Sequence, residues 1–458
     1  MQMIKLSVIA LAVAAASTQM AVASQQSESN GFIEDSKLDV HSRVLYMNRD
    51  FRNKTAVPTL NDGKRQSYRE DTGLGLKAIY ESGFTQGTVG FGIDAFGLQG
   101  IRLDSGPGRF SNGQFPGTSR GADRNEKAVD NFSKAGAAVK LRLSNTVLKY
   151  GEQFVDLPVF STDDSRLLPE SATGFLLTSN EIENLELNLG HFTALSAMDR
   201  ASRDSTTFDY DSFEDGNSLR SLDLIGGRYN FTNNLSAAYY YSDAKLGHKG
   251  NASRFEAKKH YTNVNYTLPL ADTQSINFDF NMYNSKFTNK DSGRGNRSDK
   301  NNVWSLAAAY NFLEAHTLTA GYQEVTGGYE KGYDYGYDGG GSVYLLNDVQ
   351  YNSFTAKGEK SFQARYDLDM ATYGVPGLSF MTRYVRGTNI ENETATGRRS
   401  NDGRNWEQNF EAKYVLQSGA AKDLSFRVRQ ATYRANDAAN KADANEVRLI
   451  VEYPLSIL

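Results

Sequence analysis

Apolar and polar positions alternate with a period of two along most of the chain. Near its end, Leu424, Phe426 and Val428 alternate with Ser425, Arg427 and Arg429, and Val447, Leu449, Val451 and Tyr453 alternate with Arg448, Ile450 and Glu452. That period places the apolar set on one face of a strand and the arginines on the other. Leu74, Leu76, Ala78 and Tyr80 share a parity, as do Val89, Phe91, Ile93 and Ala95. Ala137, Val139, Leu141 and Leu143 face away from Lys140 and Arg142, and Leu185, Leu187 and Leu189 oppose Glu186 and Asn188. Ile276, Phe278, Phe280 and Met282 stand against Asn277, Asp279, Asn281 and Tyr283. No helical stripe of comparable length interrupts this pattern, which predicts an all-β chain.

The connections alternate in length. Short turns follow Ser82-Gly83, Asn233-Asn234, Pro269-Leu270 and Glu314-Ala315. Long segments rich in Gly, Asp, Ser and Asn run from Ser105 to Asp130, Ser196 to Ser218 and Gly327 to Ser342. Short turns at one rim and long loops at the other are the plan of a transmembrane antiparallel β-barrel. A direct count gives nineteen candidate strands. Treating Asp348 to Phe354 as a wall strand would put the turn Tyr373 to Gly377 outside and the long Thr388 to Asn405 loop inside. Assigning it to the preceding loop leaves eighteen strands and folds that segment into or over the mouth. The apolar face then points into lipid and the arginines line a water-filled lumen.

Composition agrees. Hydrophobic residues make up 39% of the 458, and no run of apolar residues after the N-terminus reaches the ~18 of a spanning helix. With no cysteine there are no disulfides or thiolate metal sites, and the five histidines (His41, His191, His248, His260, His316) have no metal-ligand spacing. The reading therefore includes no cofactor and no metal. A net charge of -4, with many charges of both signs, points to no nucleic acid. Lys5 before the apolar run Leu6 to Ala16, followed by Ala21-Val22-Ala23, predicts a signal peptide over 1–23 and a single barrel domain over 24–458.

An eighteen-stranded barrel encloses an aqueous channel, so selectivity needs a constriction. Phe154 to Thr173 breaks the alternation. Pro158 and Pro169 bar it from a central strand, and Phe154, Val155, Leu157, Val159, Phe160, Leu167 and Leu168 are too apolar for a loop bathed in water. It is expected to fold inward as the third loop, carrying Asp163, Asp164 and Arg166. Parity places Arg365, Arg383, Lys413, Arg427, Arg429 and Arg448 on the lumen face of the last five strands. Such a row of cations would focus its field on anions, and arginine grips a carboxylate bidentately. The competing reading pairs these cations with lumen acids such as Asp367, Asp369, Glu411 and Glu452.

The chain resembles the OprD-type porins, outer-membrane carboxylate channels of pseudomonads and their relatives. The resemblance spans essentially the whole mature chain. It rests on Gly31 to Ser36, Tyr80 to Gly92, Ser165 to Pro169, Trp304 to Tyr310 and the ending Arg448 to Leu458. It implies eighteen strands, an inward third loop, and a basic ladder on Lys413, Arg427, Arg429 and Arg448 leading to a constriction arginine at Arg166. The family's basic-amino-acid channels carry a carboxylate in the segment matching Tyr351-Asn352-Ser353. Here Ser353 stands in its place, with Asp348 nearby and Tyr351 retained.

These observations predict a channel of the bacterial outer membrane for passive uptake of small carboxylate solutes, amino acids among them. Its ladder would comprise Lys413, Arg427, Arg429, Arg448, Arg365 and Arg383, and its constriction Arg166, Asp163, Asp164, Asp348, Tyr351 and Ser353. The alternatives are a general diffusion porin with weak charge preference and, from another class, a barrel enzyme at the cell surface. No nucleophile, base and acid cluster supports the enzyme. Expected partners are small carboxylate solutes, outer-membrane lipid and lipopolysaccharide, and the outer-membrane assembly machinery, with the protein a monomer or a weak trimer.

Overall fold

The computed structural model describes residues 24–52, 66–117, 127–203, 218–247, 254–291, 295–328, 343–393 and 399–457. The expected signal peptide lies outside them, as does most of Gly327 to Ser342. The strands are β1 (Lys37–Arg52), β2 (Tyr68–Glu81), β3 (Val89–Asp104), β4 (Asn131–Leu143), β5 (Thr146–Gln153), β6 (Asp156–Leu157), β7 (Phe160–Ser161), β8 (Ser171–Ile182), β9 (Leu185–Ser196) and β10 (Ser218–Thr232). They continue with β11 (Leu235–Gly247), β12 (Arg254–Ala271), β13 (Gln274–Asp291), β14 (Gly295–Phe312), β15 (His316–Gly327), β16 (Lys360–Asp369), β17 (Leu378–Glu393), β18 (Arg399–Val415), β19 (Ser425–Ala435) and β20 (Asp443–Ser456).

Eighteen of these form one antiparallel sheet, and β6–β7 is a separate hairpin within the third loop. The sheet closes where β1 pairs with β20, from Asp39 opposite Ser456 to Arg52 opposite Asp443. Closure matters because lipid offers no partner for a free strand edge. The segment Asp348 to Phe354 contains no strand and lies between β15 and β16, which pair directly with each other.

The two faces carry opposite chemistry from those of a soluble protein. On β19, Phe426 and Val428 are 46% and 49% exposed on the outside, while Arg427 between them is 6% exposed on the lumen side. Leu141, Leu189, Leu306, Leu318, Phe380 and Phe410 extend the exposed apolar belt around the wall.

One expected loop is different. Thr388 to Asn405 is largely strand: β17 runs on to Glu393 and β18 starts at Arg399. Their pairing shifts register between Gly387 and Ile390 and again before Asn392. The polar composition there marks strands leaving the lipid band for water, and the irregular register accommodates the change. The turn placed after Pro269-Leu270 likewise comes slightly later, because Pro269 still pairs with Ser275.

The apolar core lies inside the barrel and is made by loops. Val155, Leu157, Val159 and Phe160 of the third loop pack with Phe192, Leu222, Leu224, Tyr261, Tyr283 and Val303 of the wall, and with Val343 and Leu345 of the connection before β16. Tyr283 Oη donates to the Pro158 carbonyl at 2.9 Å. The far end of the loop buries Leu167 and Leu168 among Leu45, Phe96, Leu98, Phe115 and Phe132. Gly73 and Gly75 of β2 make room for it: a Cβ on Gly75 would lie 2.6 Å from the Leu167 carbonyl oxygen. The third loop is thus bolted to two sides of the lumen, each fully buried aromatic or aliphatic side chain contributing about 1.5–3 kcal/mol.

Candidate permeation site

The lumen cations are placed by the strand register. Arg365 pairs with Arg383 across β16–β17, and Arg383 with Asn409 across β17–β18. One level nearer the short-turn rim, Glu411 pairs with Arg429 and Arg429 with Arg448. The next level sets Lys413 opposite Arg427 and Arg427 opposite Ile450. Residues two apart on a strand share a face, so Lys413, Arg427, Arg429, Arg448, Arg365 and Arg383 all line one arc of the lumen, as parity predicts. The arc does not stop at the last strand. Because β1 follows β20, Arg43 lies opposite Glu452 and Arg49 opposite Glu446, and Lys77 on β2 joins them through a shared acid.

The counter-charges are shared. Glu411 Oε1 lies 3.7 Å from Arg427 Nε and its Oε2 lies 3.1 Å from Arg429 Nε. The second contact is close but poorly directed, leaving Arg429 Nε without a hydrogen-bond acceptor. Glu446, fully buried, bridges Arg49 and Arg448 at 2.6 Å each. Asp164 of the third loop bridges Arg43 and Lys77 at 2.8 Å each, and Arg43 also reaches Glu452 at 2.8 Å. Arg365 is matched one to one, gripping Asp367 through two hydrogen bonds of 2.7 and 2.6 Å. Among the described residues, Arg166, Arg383 and Lys413 have no ion pair; Arg383 Nε donates to Asn409 Oδ1 at 3.0 Å. The arc therefore carries more positive than negative charge.

Two inward segments face it. In the third loop, Asp163 accepts hydrogen bonds from the Ser165 amide (2.6 Å) and hydroxyl (2.9 Å), which fixes a tight turn. Arg166 Nε donates to the Asn112 carbonyl at 3.0 Å and its Nη1 to Ser165 Oγ at 2.9 Å. Burial, together with the nearby charge of Arg448, lowers the Arg166 guanidinium to about 10.

The second segment precedes β16. The Tyr351 and Asn352 amides donate to Glu407 at 3.0 and 2.8 Å, and the Gln350 carbonyl accepts from Arg448 Nη2 at 3.0 Å. Gln323 Nε2 holds the Phe354 carbonyl at 2.8 Å. The Tyr351 ring lies under Arg49 and Lys441, 5.0 and 4.9 Å away, and against Tyr433. Asp348 Oδ1 accepts from Ser353 Oγ at 2.8 Å. Burial raises Asp348 to about 6 against that hydrogen bond, with Asp163 raising it and Arg383 lowering it. Asp348 thus lies within electrostatic reach of Asp163 and of Arg383.

The expected constriction residues lie on two segments, Arg166, Asp163 and Asp164 on the third loop and Asp348, Tyr351 and Ser353 on the connection before β16. Arg43, Arg49, Lys77, Glu407 and Glu446 were not anticipated. On β1, Arg43 and Arg49 share parity with Leu45 and Met47, both buried and Leu45 clustered with Leu167 and Leu168 of the third loop, so the alternation there does not separate lumen from lipid. The available signal was barrel closure, which sets β1 beside the arginine-bearing last strand.

Residues 30–457 match the family described as outer membrane porin, OprD family. Porin D of Pseudomonas aeruginosa is 46% identical over 478 residues, covering 100% of both chains. The crystal structure of Pseudomonas aeruginosa OprD is 43% identical with a TM-score of 0.73, covering 96% of this chain and all of that one. That of Acinetobacter baumannii OccAB1 is 32% identical with a TM-score of 0.81, covering 95% of this chain and 100% of that one. The eighteen-stranded barrel, its inward loops and its basic arc therefore have their setting in the outer membrane, and the chain belongs to the OprD family of outer-membrane porins.

Proposed function

We propose that this porin is a substrate-preferring channel for passive uptake of small solutes bearing a carboxylate, amino acids among them. The observation that carries this reading is the sharing of counter-charge. Glu411, Glu446 and Asp164 each lie between two cations, and Arg383, Lys413 and Arg166 have no acid of their own among the described residues. A carboxylate entering the lumen would find under-neutralised guanidinium groups at successive levels, each contact weak enough to release because neighbouring acids compete for it. Lys413, Arg427, Arg429, Arg448, Arg365 and Arg383 would form the track, with Arg365 the least available because Asp367 occupies it.

At the constriction Arg166 would take the carboxylate while Asp163 and Asp348 face the rest of the solute. Asp164 would hold the loop through Arg43 and Lys77. Tyr351 and Ser353 would shape the opposite edge. An amino acid matches this arrangement better than a simple anion, because its ammonium group can meet Asp348.

Single-channel current in a planar bilayer tests the reading, with benzoate, glutamate, arginine and glucose titrated separately. Interruptions that saturate with a carboxylate solute and are absent with glucose are the expected result. An ohmic pore indifferent to all four would make the protein a general diffusion porin and reduce the arc to lining.

A further inference from the structure

Three adjacent strands finish their lipid-facing rows in the same order. On β13 the outward positions run Ile276, Phe278, Phe280 and Met282, then Asn284, then Lys286. The corresponding steps on β12 and β14 end in His260 then Lys258, and in Asn302 then Lys300. Register aligns them: Lys258 pairs with Lys286 and Lys286 with Lys300. Neighbouring strands are ~4.8 Å apart, so three ammonium groups fall within roughly 10 Å.

Like charges directly opposite one another destabilise a sheet. The relief inside the protein is small. Asp243 lies 3.5 Å from Lys258, with Glu256 two residues along the same face, and among the described residues Lys286 and Lys300 have no ion pair. An anion from outside would offset the charge that remains.

Its position identifies the source. From Ile276 to Lys286 a strand tilted ~40° and rising ~3.3 Å per residue climbs about 25 Å, the height of the apolar band. The lysines thus stand at the outer edge of that band, on the long-loop side, above Trp304, Phe280 and Leu306 with His260, Asn284 and Asn302 between. A ligand there has acyl chains below and phosphate beside the ammonium groups.

We infer that Lys258, Lys286 and Lys300 form an outward-facing site for a phosphate of an outer-leaflet glycolipid, the lipopolysaccharide of this membrane. The ligand's acyl chains lie on the apolar rows beneath, while its phosphate spans the three lysines. The site is on the outside of the wall and is independent of the permeation reading.

The test titrates the purified full-length barrel with bisphosphorylated lipid A, its dephosphorylated form, phosphatidylglycerol and inorganic phosphate, reading bound lipid by native mass spectrometry. The expected result is preferential retention of bisphosphorylated lipid A, weakened at least about tenfold in the triple variant Lys258→Gln, Lys286→Gln, Lys300→Gln and restored by arginine at all three positions. Unchanged single-channel conductance shows that the variant barrel is folded. Equal retention by the glutamine variant, or equal binding of the dephosphorylated lipid, overturns the site. Equal binding of phosphatidylglycerol overturns the glycolipid assignment, and a response to inorganic phosphate alone overturns a membrane ligand.

Discussion

The lumen wall has two arcs built from the same alternating strands, and their inner faces have opposite chemistry. From β16 through β20 to β2 the inner face presents Arg365, Arg383, Lys413, Arg427, Arg429, Arg448, Arg43 and Lys77. From β9 through β15 it presents the buried Phe192, Leu222, Leu224, Tyr261, Tyr283, Val303 and Val325, with a network of Asn263, Asn265, Asn277, Asp279 and Asn281 beside them. Strand periodicity assigns residues to the inside or the outside, but the inside is not one environment. Where apolar residues of the third loop and of the segment before β16 pack on the wall, the lumen is a hydrophobic core, and where their polar groups meet it, as Asp164 meets Arg43 and the Gln350 carbonyl meets Arg448, it is a charged surface. The apolar arc anchors what the basic arc works against.

The largest effect is expected on the basic arc. Removing two adjacent cations with Arg427→Ala and Arg429→Ala should lower carboxylate flux about tenfold or more, given that hydrogen bonds to charged groups contribute roughly 1.5–3 kcal/mol each. Glucose flux should hold, as read in liposome uptake. Equal loss of both fluxes, or no change in either, would remove the arc's role in selection.

The covered arc is broken by Phe160→Ala. Phe160 is fully buried with its ring 4.6 Å from that of Phe192. Losing such a side chain costs about 3–5 kcal/mol, enough to free the hairpin β6–β7 from the wall. Conductance should then rise several-fold in single-channel recordings while the basic arc is untouched. An unchanged conductance would show that the loop is held by its other end, at Leu167 and Leu168.

The smallest effect concerns Asp348, which lies within electrostatic reach of Asp163 and Arg383. Asp348 is raised to about 6, so it is charged at pH 8 and protonated at pH 4.5. Falling pH removes one negative charge and should lower the cation-to-anion permeability ratio by about twofold, the scale of a unit charge several ångströms away in a water-like medium. Asp348→Asn should show the low-pH ratio throughout, with no step near pH 6. A step of the same size in that variant would assign the titration to another group.

Much of this was readable in the chain. Alternation at Leu424 to Arg429 and Val447 to Glu452 fixed which side of each strand meets lipid, because the strand period is a property of the backbone alone. The prolines at 158 and 169 amid apolar residues marked the inward loop. Arg43 and Arg49 were not readable, because their parity partners Leu45 and Met47 are as apolar as any lipid-facing pair. Nor was Glu446, whose bridge to Arg49 joins residues almost four hundred positions apart. The polar stretch from Thr388 to Asn405 misled for a related reason: hydrophilicity reports water on both sides of a strand as readily as it reports a loop.

By itself the sequence determined the strand pattern, the strand number and the cationic character of the last strands, since each follows from local periodicity and connection length. Tertiary structure decided which lumen cations are neutralised and by whom. That depends on closing β20 against β1, which joins charges from opposite ends of the chain, and on a loop carrying Asp164 to Arg43 and Lys77, far from it in sequence.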